Sequence, residues 1–154
     1  MTLRVTSPSE LEILLTRSFA APRPLVFAAL TQPDLLKRWY GARGWTLVSC
    51  TVDLRVGGAW RFVSEGPGGQ QMGQSGIYRE IVPDERLVYT EVFDDQSYDG
   101  ESLVTAVLRG ATTLETTVLL PSRHARQIVA GYPMERGYGE SCDRLEAVLK
   151  EESA

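Results

Sequence analysis

The last third of the chain, from Thr112 to Lys150, constrains the fold most. A strand-like run over residues 113–120 stops at Pro121-Ser122. A short helical segment follows, Gly131-Tyr132-Pro133 interrupts it, and a long amphipathic helix runs toward the C-terminus. In that helix Met134, Tyr138, Ser141, Leu145, Val148 and Leu149 recur on one face at helical spacing. The first half of this face mixes small residues, Gly137 and Ser141, with larger ones, and the second half is solid aliphatic. Such a helix plugs a core at one end and leaves space at the other. It suits a sheet that grips it around a cavity.

The rest of the chain supplies that sheet. Residues 1–9 read as a flexible N-terminal tail. Residues 10–19 read as a first strand, followed by two short helices. One carries Pro24 in its first turn; the other runs from Pro33 to Trp39, with Thr31 placed to cap it. Strands are then expected over residues 45–54, 59–65, 74–82, 86–93, 103–109 and 112–120, separated by turn signals such as Gly57-Gly58, Gly66-Pro67-Gly68-Gly69 and Pro83-Asp84-Glu85. Consecutive hairpins imply an antiparallel sheet, of about seven strands here. The expected fold class is α+β: a curved antiparallel sheet wrapped around a long C-terminal helix, with two short helices after the first strand.

Bulk properties narrow the function classes. With 154 residues the chain is expected to form a single domain, 1–154, able to bury a real core. A net charge of −4 argues against nucleic acid, which needs a concentrated basic face. No apolar run approaches the roughly 20 residues that span a bilayer, so membrane insertion is not expected. No signal peptide is visible, and Cys50 and Cys142 suggest neither a disulfide framework nor a metal knuckle. A reduced, cytoplasmic protein without metal or cofactor is the expectation.

Several stretches carry a resemblance to a known family. They are residues 24–31 with Trp39 beyond them, 53–62 (Asp-Leu-Arg-Val-Gly-Gly-Ala-Trp-Arg-Phe), 76–83 with 86–90, 116–123, and Gly137 through Leu149. In order and spacing the chain resembles the START-like, Bet v 1-like (SRPBCC) helix-grip superfamily. Within it, the chain is most similar to bacterial homologues of the activator of Hsp90 ATPase. The resemblance implies a β-α-α-β6-α fold with a pocket between sheet and C-terminal helix, in a superfamily that includes lipid carriers, hormone binders and aromatic cyclases. It also implies that a homodimer is possible. The eukaryotic activator has a further N-terminal domain that this chain lacks, so a Hsp90-type chaperone is not the expected partner.

Nine residues are candidates for a ligand site. Trp60 and Phe62 alternate with Arg61 and Val63 and so share one strand face; Tyr78 shares a face with Gly76 on the next strand, which leaves local room. They suit a pocket wall, since small-molecule sites are largely apolar and aromatic, and they suit a plain core as well. Tyr89 and Glu91 share a face with Leu87 and Phe93. If that face turns inward, Glu91 is a carboxylate in an apolar setting whose pKa should rise; if outward, it is solvated and Val88, Thr90 and Val92 line the interior. Trp39 ends the second short helix, as a cap on a ligand or a seal on the core. Tyr132 and Met134 flank Pro133 where a gate would lie, and Tyr138 opens the small-residue half of the last helix. His124 and Cys142 have no partners arranged for nucleophilic catalysis, so no catalytic residue is assigned. The expected function is binding of a hydrophobic or aromatic small molecule. The rivals are a cyclase or dehydratase that uses Glu91 or a tyrosine, and a protein-interaction module.

Overall fold

A computed structural model describes residues 3–153. The element order is β1 (Arg4–Ser9), β2 (Glu12–Ser18), α1 (Arg23–Thr31), α2 (Pro33–Trp39), β3 (Thr46–Val52), β4 (Ala59–Glu65), β5 (Gln71–Val82), β6 (Arg86–Phe93), β7 (Ser102–Arg109), β8 (Thr113–Leu119), α3 (Arg123–Ala130) and α4 (Met134–Ser153). The strands form one antiparallel sheet in the order β1-β2-β8-β7-β6-β5-β4-β3. From β3 to β8 the chain is a meander. The long excursion through α1 and α2 carries it from β2, near one edge, to β3 at the other.

The sheet has eight strands rather than seven. The additional one is β1, where a tail was expected for residues 1–9; residues 1 and 2 lie outside the described residues. β1 pairs antiparallel with β2, matching Val5 to Leu15 and Thr6 to Leu14. Its sequence, Arg-Val-Thr-Ser-Pro-Ser, has no apolar alternation and is largely exposed. Only the free edge of β2 makes it a strand.

Helix starts follow local rules with one correction. Pro24 and Pro33 occupy first-turn positions, where a missing N–H costs nothing. Thr31 does not cap α2: it is the last residue of α1, and its hydroxyl donates to the Phe27 carbonyl at 2.8 Å. Extended Gln32 takes the cap position instead. Ser122 caps α3 by accepting from the Ala125 N–H at 3.1 Å.

Alternation fixes the inner face of the sheet, and register aligns it across strands. Trp60 lies beside Gly76, Phe62 beside Gln74, and Tyr78 beside Tyr89. Leu87, Ala106 and Leu108 join them in the main core, to which α4 contributes Cys142, Leu145, Val148 and Leu149 and the short helices add Val26, Phe27, Leu36 and Trp39. The helix-grip arrangement is consistent with this packing. A smaller cluster, with Ile13, Leu15, Tyr98, Leu120, Ala125 and Val129, sits under α3. Arg17 is also on the inner face and is 3% exposed; it pairs with Asp143 and Glu146 of α4 at 3.0 and 3.4 Å and holds helix to sheet.

Candidate functional site

An aromatic wall runs along the inner face of β4, β5 and β6. The Trp60 and Phe62 rings lie 4.8 Å apart, Trp60 meets Tyr89 edge-on at 5.5 Å, and Tyr89 meets Tyr78 at 6.2 Å. Tyr40, just past α2, packs edge-on to Phe62 at 5.0 Å. Gly76 makes this possible. A Cβ there would collide with the Thr90 carbonyl and stand 2.6 Å from Trp60 Nε1, so the indole occupies the space of the absent side chain. Trp60 Nε1 has no hydrogen-bond partner.

At the centre of the wall is a polar group built from three elements. Gln74 of β5, 1% exposed, donates through Nε2 to the Tyr40 hydroxyl at 2.7 Å and to Glu91 Oε2 of β6 at 3.1 Å. Gln74 Oε1 is buried without a partner. Glu91 faces inward, as its sharing of a face with Tyr89 requires. Burial lifts its carboxyl from 4.5 to about 7, and only the Gln74 hydrogen bond opposes the lift. Burial also raises the hydroxyls of Tyr40, Tyr89 and Tyr138 well above the usual phenol range. For Tyr40 and Tyr89 the Glu91 charge adds to that rise. These tyrosines are therefore neutral throughout the neutral pH range, and Glu91 is the group of the cluster that titrates there.

Tyr40, Tyr89, Glu91 and Tyr138 point inward yet are only half-buried. These four keep some accessible surface, in contrast to Trp60, Phe62 and Tyr78, which are sealed. The segment from Tyr40 to Trp45 straps across this region onto α4. Gly41 N–H donates to Ser141 Oγ at 3.1 Å, and Arg144 Nη1 donates to the carbonyls of Gly41 and Trp45, each at 2.9 Å. Gly41, at φ +115°, supplies a backbone turn that other residues rarely adopt.

The structure gathers the sequence candidates unevenly. Trp60, Phe62, Tyr78, Tyr89 and Glu91 come together. Trp39 is in the main core, and its indole N–H donates to the Ala29 carbonyl at 2.8 Å, which makes it a seal between the short helices. Tyr138 bridges the two clusters and exchanges a hydrogen bond with Thr116 Oγ1 at 3.1 Å. Met134 packs on the smaller cluster, away from Trp60. Tyr132 is 55% exposed and is not part of the aromatic wall. An open cleft of about 410 Å³ lies on the opposite, outer face of the sheet, along Thr51, Arg61, Ser75 and Val92, and not between sheet and α4 where open space was expected. His124 is exposed, and burial pushes the thiols of Cys50 and Cys142 up to about 11 and about 12, which leaves them protonated.

The profile of the family described as activator of Hsp90 ATPase homolog 1-like protein matches residues 20–150. The chain belongs to this family. A Rhodobacter sphaeroides protein of known structure is 32% identical to this chain, with 98% of this chain and 99% of that one covered and a TM-score of 0.92. A Nitrosomonas europaea protein is 28% identical over 94% and 97% of the two chains, with a TM-score of 0.84. An Arthrobacter aurescens protein, at 24% identity, 98% and 93% coverage and a TM-score of 0.87, shares the fold. No curated protein matches the chain.

Two central residues of the site escaped the sequence reading. Gln74 left a trace: it stands two positions before Gly76 and four before Tyr78, so alternation puts a polar amide on the inner face. Tyr40 left none, since its direction depends on the strap that follows it. Among the described residues no group of three His, Cys, Asp or Glu side chains could hold a metal ion, and no helix is long and apolar enough to cross a membrane.

Proposed function

We propose that this chain binds a hydrophobic or aromatic small molecule with a polar head, held between the inner face of the sheet and the first half of α4. The observation that carries the reading is Gln74. A buried amide oxygen without a partner costs about 1–3 kcal/mol, a penalty native interiors rarely keep. Set in an aromatic wall beside a carboxylate, it fits a place reserved for a ligand's donor. Superfamily membership supports the reading, since pockets between sheet and helix are its common use. Entry would require the Tyr40–Trp45 strap to lift from Ser141 and Arg144.

Native mass spectrometry of the chain purified from its own source tests this. The expected result is a bound small molecule released on denaturation and displaced from a Gln74→Leu variant. An unliganded native chain in which added hydrophobic probes leave the resonances of Gln74 and Tyr89 unmoved would refute it.

One observation favours a second reading, an enzyme of the cyclase or dehydratase type. A carboxyl that titrates at about 7 is matched to proton transfer at neutral pH. Turnover of a bound molecule, abolished by Glu91→Gln with binding retained, would separate the enzyme from the carrier.

A further inference from the structure

Resting on that reading of the site, the geometry points to a ligand whose polar head is a protonated amine: an aromatic or hydrophobic organic cation, in preference to an alcohol or an acid. The polar centre has unspent acceptors and no cation. Gln74 Oε1 is a buried acceptor lacking a donor, and Glu91 is a carboxylate whose side-chain partner is the Gln74 amide. Among the described residues no Lys or Arg pairs with Glu91. The buried cation of the interior, Arg17, is committed to Asp143 and Glu146 on the far side of Tyr138. An ammonium carries several N–H donors and one positive charge, so it can satisfy Gln74 Oε1 and Glu91 together.

The surrounding walls favour the same head. The rings of Tyr40 and Tyr89 lie beside Glu91 and keep accessible surface, and aromatic faces attract organic cations. A carboxylate head would bring a second negative charge beside Glu91. An alcohol has one donor and could serve only one of the two acceptors. The unpartnered indole nitrogen of Trp60 is buried in the space left by the absent side chain of Gly76.

The charge of Glu91 also gives the preference a pH signature. The titratable groups facing it are Tyr40 from the strap, Tyr89 on its own strand and Tyr98 from the loop after β6, with Tyr138 from α4 beyond Tyr40 and Tyr89. All four phenols are raised above their usual value and stay neutral in this range. A carboxyl lifted by burial to about 7 is mostly protonated at pH 6 and mostly ionised at pH 8. An alkylamine is a cation at both, so its affinity should rise about tenfold across that interval.

The experiment compares 2-phenylethylammonium, 2-phenylethanol and phenylacetate, which share one phenyl body, by NMR titration at millimolar concentration. The expected result is that all binding maps to Gln74, Tyr40 and Tyr89, and that the amine binds at least about tenfold tighter than the alcohol, the margin of a charge-assisted hydrogen bond. That margin should widen from pH 6 to pH 8 and vanish in Glu91→Gln. If the variant fails to fold, the pH profile of the natural chain decides. An alcohol or acid that binds at the same residues as tightly as the amine, or an amine affinity flat between pH 6 and pH 8, overturns the amine head and leaves the ligand site standing. If none of the three probes moves these resonances, the site itself falls.

Discussion

Glu91→Gln should make this protein more stable at alkaline pH and remove part of its pH dependence. In the folded chain burial lifts the Glu91 carboxyl from 4.5 to about 7, so between those values the folded state binds a proton that the unfolded state has released. Stability therefore falls as pH rises through this window, and above pH 7 the full cost of an ionised, buried carboxylate is present. A lift of that size corresponds to about 3 kcal/mol at most, and partial exposure of Glu91 reduces it toward 1–2 kcal/mol. A glutamine at 91 has no charge to desolvate. Its amide can donate to Gln74 Oε1, the acceptor that now lacks a partner. The assay is urea denaturation of both chains at pH 5 and pH 8. The natural chain should lose about 1–3 kcal/mol more than the variant between the two pH values. Asp94, whose carboxyl its hydrogen bond and ion pair with Arg61 hold below its usual value, contributes only at more acid pH. Equal pH dependence in the two chains would show that Glu91 is solvated, and with it the account of the polar centre would fail.

Three further outcomes follow from the packing. Leu145 is 1% exposed in the main core, so Leu145→Ala should cost roughly 2–5 kcal/mol by chemical denaturation, whereas half-buried Tyr138→Ala should cost less; the reverse order would mean the open end of the interior lies elsewhere. Arg17 should respond to shape more than to charge. Because Asp143 is 72% exposed and Glu146 27%, Arg17→Met frees two carboxylates that water can reach and should change stability by less than about 1 kcal/mol, while Arg17→Ala adds a cavity and should cost about 2–4 kcal/mol; equal losses in the two variants would contradict this. Gly76→Ala should fail to give a soluble fold, or lose the near-ultraviolet signature of Trp60, since its Cβ meets the Thr90 carbonyl and the indole together; a fully native spectrum would refute that packing.

Much of the molecule was legible from local pattern. Proline at helix starts, glycine-rich turns and period-two alternation each rest on a few neighbouring residues, so the sequence alone predicted the α+β class, the meander, the long last helix and the shared face of Tyr89 and Glu91, while leaving open whether that face turns inward. Where a residue's fate depends on a distant segment, sequence was silent. β1 has no pattern of its own and exists because β2 offers an edge. Tyr40 joins the site because Ser141 and Arg144, about a hundred positions away, pin the strap that aims it. Tyr132, expected near a gate, is 55% exposed. Gln74 shows the boundary most clearly. Alternation puts its amide inside, but only the register of β5 on β6, with the strap closing from the other side, places it between Tyr40 and Glu91. Periodicity determines which way a side chain points; what it meets there is decided by the pairing of segments far apart in the chain.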